Sequence, residues 1–166
     1  MFKKPQVLQL LAASIALAVG ILVYVLDRQP EHIYFLPEYL SLADGFGQFF
    51  GQLGNHLPTF VHVYAFILLT TAVLRPRTQH VLLICLIWFS IDSLFEFAQH
   101  TAVASWIAPA LPTWLDGILI LENSTNYFQA GRFDWFDILS IAIGSLAAYL
   151  TTLVSYYKES ENVIQY

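Results

Sequence analysis

Charged residues are scarce in this chain, and their scarcity excludes the soluble fold classes. Only 11% of its 166 residues are Asp, Glu, Lys or Arg, whereas 57% are hydrophobic. Apolar runs too long for a soluble core follow one another along the sequence. The composition therefore predicts an all-α integral membrane protein with a single domain over residues 1–166.

Cysteine and the common cofactor-binding signatures are also nearly absent. Cys85 is the only cysteine and lies in an apolar run, so we interpret it as a packing residue, and a disulfide or thiolate metal site is excluded. No serine hydrolase elbow, P-loop or dinucleotide-binding fingerprint occurs. We predict no cofactor and no nucleic-acid partner.

Four apolar segments are long enough to cross a bilayer as helices, at residues 7–26, 58–74, 81–98 and 135–157. The first runs well past a candidate cleavage signal at residues 16–18, which favours a membrane span over a signal peptide. Pro58 is interpreted as the residue that starts the second helix. The short connection at residues 75–80 predicts that the second and third spans form an antiparallel hairpin.

Two further segments are apolar but interrupted. Residues 27–57 combine prolines, glycines and many aromatic residues, which predicts a location at the outer membrane interface or a cover over a site there. Residues 103–121 contain Pro109, Pro112 and Gly117, which predict a short interfacial or re-entrant helix rather than a fifth crossing. The expected fold has four transmembrane helices with amphipathic or re-entrant segments on the outer side.

The distribution of positive charge predicts the orientation. With four crossings, one side of the membrane carries Lys3, Lys4, Arg75, Arg77 and Lys158, and the other carries Arg28 and Arg132. Because positively charged loops are retained in the cytoplasm, this split predicts that both termini are cytoplasmic.

Ionisable residues recur on one face of the third span. Asp92, Glu96 and His100 are spaced by four residues, so they share one side of a helix. A stripe of charge facing lipid is costly, so this face is expected to turn toward the bundle interior. His62 and Asp137 belong to neighbouring spans at about the level of Glu96. Together they predict a polar pocket in the outer leaflet.

Several uses of this pocket remain open. Arg132, at the mouth, would pair with Glu96 or Asp137 if the group only fixed helix register. Acid–base chemistry or a proton relay would use the same carboxylates beside a histidine, with His56 in the outer approach. A metal site is not predicted, because the ligands are dispersed and HExxH spacing is absent. Small residues form a further face that predicts close helix packing: Gly144, Ser145, Ala147 and Ala148.

The chain resembles the VanZ-like family of small bacterial membrane proteins over residues 56–153. The resemblance rests on His62 followed by Phe66, on an E-x-x-Q element, and on an arginine leading to an aspartate and Gly144. Ile141 departs from it, because the family often has asparagine there. The resemblance implies a bacterial inner-membrane protein of the cell envelope, linked to resistance to a glycopeptide antibiotic. The predicted binding residues are His62, Asp92, Glu96, Gln99, His100, Arg132 and Asp137.

The expected function is binding of, or action on, the headgroup of a membrane lipid, a lipid-linked envelope precursor or another amphiphile. In this hypothesis Arg132 attracts an anionic group while Glu96 and His62 make polar contacts or transfer a proton. No catalytic residue is assigned. The alternative is a non-catalytic accessory or structural subunit of a larger membrane complex. A transporter is a third interpretation, although four spans without an inverted repeat give it little support.

Overall fold

The protein is built from helices. The computed structural model describes residues 4–29, 38–118 and 121–164, and these contain no strand. In chain order the helices are α1 (Lys4–Asp27), α2 (Ala43–Phe46), α3 (Leu53–Leu74), α4 (Thr78–Ala98), α5 (Thr101–Ile107), α6 (Ser124–Ala130) and α7 (Trp135–Ile164). Short 3-10 turns lie at Glu38–Leu40, Ala108–Ala110 and Thr113–Gly117.

Four of these helices are long and apolar enough to cross a membrane. They are α1, α3, α4 and the Trp135–Tyr157 part of α7, with 24, 22, 21 and 23 residues. Each therefore extends about 30 Å or more at the rise of an α-helix. This confirms the predicted all-α membrane fold with four spanning helices. Between α4 and α7, the described residues form only short helices and turns around Pro109 and Pro112, and not a fifth spanning helix.

The two ends of the bundle differ in how the helices are joined. At the hairpin end, α3 and α4 are connected through residues 75–77. Arg75 there has a left-handed backbone with φ 53° and donates its N–H to the Thr71 carbonyl. This turn confirms the predicted antiparallel hairpin. At the opposite end, which we call the loop end, α1 and α4 end and α3 and α7 begin.

Helix α3 lies at the centre of the bundle. It packs against α1, α7 and α4, whereas α1 and α4 scarcely touch. A Cβ added to Gly20 would lie 2.8 Å from Val61, and one added to Gly144 would lie 2.6 Å from Val63. These glycines allow close van der Waals contact, which drives helix association in lipid. The close packing predicted for the small-residue face at Gly144 is confirmed.

The beginning of α3 differs from the prediction. The helix begins at Leu53, and Pro58 lies inside it instead of starting it. Because Pro58 has no N–H to donate to the Gly54 carbonyl, that carbonyl needs another donor. The Arg28 guanidinium donates to it at 3.3 Å and to the Asn55 carbonyl at 3.1 Å. A charged side chain that follows α1 thus supports a helix start that the sequence pattern does not show.

A buried polar cluster lies at the hairpin end, where the sequence analysis predicted none. The Gln9 side-chain amide donates to Ser155 Oγ at 2.6 Å, and the Gln6 amide donates to the Ala72 carbonyl at 2.7 Å. Ser155 donates in turn to the Thr152 carbonyl. Gln6, Gln9 and Ser155 are at most 6% exposed. These neutral groups satisfy one another and hold α1 against α3 and α7.

Candidate functional site

A cleft of about 540 Å³ lies between α1, α3 and α4. It exists because α1 and α4 flank α3 without closing on each other. On its two sides, Ile21 of α1 and Phe95 of α4 are each 51% exposed, so the cleft opens sideways. In spanning helices, a sideways opening faces the acyl chains. Its lining includes Leu17, Ile21, Tyr24, His62, Phe66, Trp88, Ile91, Asp92, Phe95, Glu96, Tyr127 and Ile141.

The cleft is polar near the loop end and apolar toward the hairpin end. Its deeper part is formed by Phe66 and Trp88, whose rings stack with centroids 4.9 Å apart, and by Leu17. Its carboxylates, Asp92 and Glu96, follow Trp88 along α4 by one and two helical turns. At the rise of a helix, the step from Trp88 to Glu96 covers about 12 Å. The polarity therefore changes along the direction that crosses the membrane.

Asp92 forms a pair with His62 within the cleft. The carboxylate Oδ2 lies 3.2 Å from His62 Nδ1, which donates to it in the corresponding tautomer. Asp92 is 8% exposed, whereas the side chain of His62 is 51% exposed. Within the described part of the chain, this is the only hydrogen bond of Asp92, so Oδ1 is free to accept from a ligand. The His62 ring also contacts Phe66 edge-on, which fixes its orientation.

Glu96 is held at the loop end of the cleft by two donors. Its Oε1 accepts from the backbone N–H of Asp134 at 2.8 Å, and its Oε2 accepts from the Gln99 amide at 3.2 Å. The same amide donates to the Tyr127 hydroxyl at 2.9 Å. Glu96 is 4% exposed. The carboxylate therefore links the end of α4 to the connection that enters α7, and it is positioned before any ligand arrives.

Tyr127 of α6 contributes to the same end of the cleft. Burial raises the pKa of the Tyr127 hydroxyl, and the neighbouring Tyr24 and Glu96 raise this pKa further. The hydroxyl is therefore neutral at physiological pH. Gly131 allows this arrangement, because a Cβ there would collide with the Gln99 side chain and the Tyr127 carbonyl.

A second acid–histidine pair lies beside the cleft. His56 Nδ1 is 2.9 Å from Asp137 Oδ1, which also accepts from the Thr59 hydroxyl at 3.1 Å. His56, Asp134 and Asp137 each offer a ligand atom, and these atoms lie within 4.8 Å of one another. One imidazole and two carboxylates suit a divalent cation such as zinc or manganese. The hydrogen bond of His56 to Asp137 explains the contact without a metal.

The structure divides the predicted binding residues among the cleft, a neighbouring histidine pair and the exposed surface. His62, Asp92 and Glu96 line the cleft, and Gln99 positions Glu96. Asp137 does not line the cleft and pairs with His56 instead. The sequence pattern gives no role to Thr59, Asp134 or Tyr127, and it places His56 only in the outer approach. The three-residue spacings of His56 with Thr59 and of Asp134 with Asp137 were the available signal.

His100 and Arg132 lie outside the cleft. His100 is exposed, with its ring centroid 6.1 Å from that of Phe133. Arg132 is exposed and forms no ion pair with the carboxylates that the structure describes. The alternative in which Arg132 pairs with Glu96 or Asp137 to fix helix register is therefore wrong. The acids of the loop end are held by histidines, amides and backbone N–H groups.

Comparisons of the chain with protein-family models, with curated proteins and with solved structures each find no match. The function must therefore be inferred from the chemistry of the cleft. Among the residues that the structure describes, its lining offers two carboxylates and a histidine but no serine or cysteine nucleophile. The arrangement is suited to holding a ligand with a polar end and an apolar end.

Proposed function

We propose that the protein binds one amphiphile from the surrounding bilayer in the cleft between α1 and α4. The polar head of the ligand contacts His62, Asp92 and Glu96, and its apolar chain extends toward Phe66 and Trp88. The observation that carries this proposal is the change from polar to apolar lining along a cleft that opens toward lipid. A volume of about 540 Å³ is within the range of small-molecule sites.

The same proposal includes membership of the VanZ-like family and an envelope role. Under this proposal the protein lies in the bacterial inner membrane with both termini in the cytoplasm, so that the loop end faces outward. The ligand is then a lipid, an envelope precursor or an amphiphilic antibiotic from the outer leaflet. Ile141, at the position where the family often has asparagine, is 2% exposed and lines the cleft. The ligand surface that meets Ile141 is therefore apolar.

Tryptophan fluorescence tests this proposal directly. The chain has four tryptophans, and replacing Trp106, Trp114 and Trp135 by Phe leaves Trp88, which lines the cleft, as the only one. Dodecyl maltoside with a terminal bromine serves as the probe, with the protein in micelles of a non-ionic sterol-based detergent. A chain bound in the cleft brings the bromine near Trp88, so we expect saturable quenching.

Bulky substitutions inside the cleft are compared with the same substitutions outside it. The double substitution Ile21→Phe with Ile91→Phe adds bulk on both sides of the cleft and should weaken the saturable quenching by at least about tenfold, or about 1.4 kcal/mol. Leu22→Phe with Leu94→Phe adds the same bulk on exposed positions of the same helices and should leave it unchanged. Equal quenching in the two double variants would contradict the proposed site.

An accessory subunit of a larger membrane complex is the second candidate function. It is favoured by large aromatic side chains that are more than half exposed, most of them on the short loop-end elements: Phe46, Phe49, Trp106, Trp114 and Trp135. Such rings suit a protein interface as well as the membrane interface. Purification in a mild detergent distinguishes the two functions. Stoichiometric co-purification of one partner, lost in a Trp106→Ser and Trp114→Ser variant, would favour the subunit.

A further inference from the structure

Apart from His62, the described residues that line the cleft offer charge of one sign only. Among the described residues that line it, Asp92 and Glu96 are the acids and none is Lys or Arg. Both carboxylates are more than nine-tenths buried. Burying a carboxylate is costly unless an opposite charge or enough donors compensate it. Within the described parts of the chain, Glu96 has two hydrogen-bond donors, whereas Asp92 has only His62.

The arginines near the loop end do not supply the missing positive charge. Arg28 is directed to the carbonyls of Gly54 and Asn55, and it does not line the cleft. Arg132 is exposed and also lies outside the lining. Beyond Glu96, the two acids Asp134 and Asp137 outnumber the histidine beside them, His56. An anionic head placed beside Asp92 would therefore meet repulsion without a compensating cation.

The walls of the cleft supply a second feature that recognises positive charge. The described lining includes five aromatic residues: Tyr24, Phe66, Trp88, Phe95 and Tyr127. The face of an aromatic ring attracts an ammonium group placed within about 6 Å of its centroid, and the attraction increases where water is excluded. A pocket that combines aromatic faces with carboxylates is a known chemical solution for alkylammonium recognition. An apolar chain attached to the ammonium would continue along the deeper rings.

From these observations we infer that the cleft selects a cationic amphiphile, in which an organic ammonium head contacts Asp92 and a single apolar chain reaches Trp88. This inference rests on the proposed function, because it names the class of ligand for the same cleft. It replaces the expectation of an anionic head attracted by Arg132. The ammonium would approach the free Oδ1 of Asp92, while His62 keeps the other oxygen in place.

Three brominated probes with the same twelve-carbon chain test the inference. Their heads are trimethylammonium, maltoside and sulfate, and binding is measured by quenching of Trp88 in the single-tryptophan protein described above. We expect the trimethylammonium probe to bind at least about tenfold more tightly than the maltoside, and the sulfate probe to bind most weakly. Equal affinity for the cationic and neutral probes, with both blocked by filling the cleft, would overturn the inference and leave the proposed function intact.

A substitution that removes the charge of Asp92 tests whether this side chain causes the preference for the cationic probe. Asp92→Asn removes the charge but keeps an oxygen that can accept a hydrogen bond, so it should lower the affinity for the trimethylammonium probe at least about fivefold and the maltoside affinity by much less. Thermal unfolding in detergent shows whether the variant is folded. Asp44→Asn is the control, since Asp44 is an exposed acid of α2 at the loop end. An equal loss of affinity for both probes in Asp92→Asn would mean that the charge of Asp92 does not set the preference, and the inference would fail. Absence of cleft-dependent quenching by all three probes would overturn the proposed function as well.

Discussion

The two ends of the helix bundle both bury polar side chains, but they do so in different ways. At the hairpin end the groups are neutral, and Gln6, Gln9 and Ser155 bind one another or backbone carbonyls without lining the cleft. At the loop end the groups are charged, and Asp92 and Glu96 line a cleft that opens sideways. Neutral groups that satisfy one another need no ligand. The described acids of the cleft have no arginine or lysine beside them, so a ligand of positive charge would stabilise them.

This contrast indicates a division of roles. The hairpin-end cluster fixes the position of α1 against α3 and α7, and the loop-end group is available for binding. If the division is correct, substitutions at the hairpin end should change stability alone, and substitutions in the cleft should change mainly binding. The variants below test the division, from the largest expected effect to the smallest.

The largest effect is expected where the two ends share one packing surface. Gly144 faces α3 so closely that a Cβ would lie 2.6 Å from Val63 and 2.7 Å from the Phe60 carbonyl. Because the second atom belongs to the backbone, it cannot move aside easily, and Gly144→Leu should cost about 3 kcal/mol. Thermal unfolding in detergent and probe binding should both show the loss.

Gly45→Leu serves as the control for Gly144→Leu, since a Cβ at Gly45 meets no atom within 4 Å. Stability close to that of the unchanged protein is expected for this variant. If Gly144→Leu kept the stability and the probe affinity of the unchanged protein, the close contact between α3 and α7 would not hold the two ends together.

The next effect isolates the hairpin end. Gln9 is fully buried and binds Ser155, so Gln9→Ala removes that hydrogen bond and leaves a cavity. We expect a loss of about 2 kcal/mol in the free energy of unfolding, with unchanged affinity for the brominated probes. Gln79→Ala, at an exposed position of the same end, should change neither quantity. If Gln9→Ala bound the probes more weakly under conditions where the variant is fully folded, the division of roles would be contradicted.

Glu96→Gln isolates the loop end with a smaller effect on stability. Its amide oxygen can still accept from the Asp134 N–H, but its NH₂ group then faces the Gln99 amide, which is also a donor. We expect a cost of about 1 kcal/mol in stability. Affinity for the cationic probe should fall at least about fivefold, with membrane insertion retained. If Glu96→Gln inserted into the membrane and unfolded as expected but bound the cationic probe as tightly as the unchanged protein, Glu96 would not belong to the binding site.

The part of the site that sequence analysis predicted is the part that repeats along one helix. The spacing of Asp92 and Glu96 places both on one face of α4, and four spans follow from the apolar runs. Which histidine pairs with which acid depends on the rotation and level of neighbouring helices. His56 reaches Asp137 because α3 begins at Leu53, which the sequence pattern did not indicate.

The hairpin-end cluster was missed for a related reason. Gln6 and Gln9 are single polar residues at the start of an apolar run, and such residues give no signal about their partners. Ser155 lies in another helix far along the chain, so only the packed bundle brings it to Gln9. The cleft also could not be predicted, because it results from the gap between α1 and α4 and not from any local sequence feature.

The smallest predicted effect separates the structural part of the loop end from the ligand-binding part. Arg28 donates to the Gly54 carbonyl, which has no helical partner because Pro58 lacks an N–H. Arg28→Met should therefore cost about 0.5–1 kcal/mol and leave probe binding unchanged. The Pro58→Ala substitution restores a backbone N–H that can donate to the Gly54 carbonyl, so in that background the same Arg28→Met change should cost less. A double-mutant cycle from thermal unfolding measures this coupling, and equal costs in the two backgrounds would show that Arg28 does not compensate for Pro58.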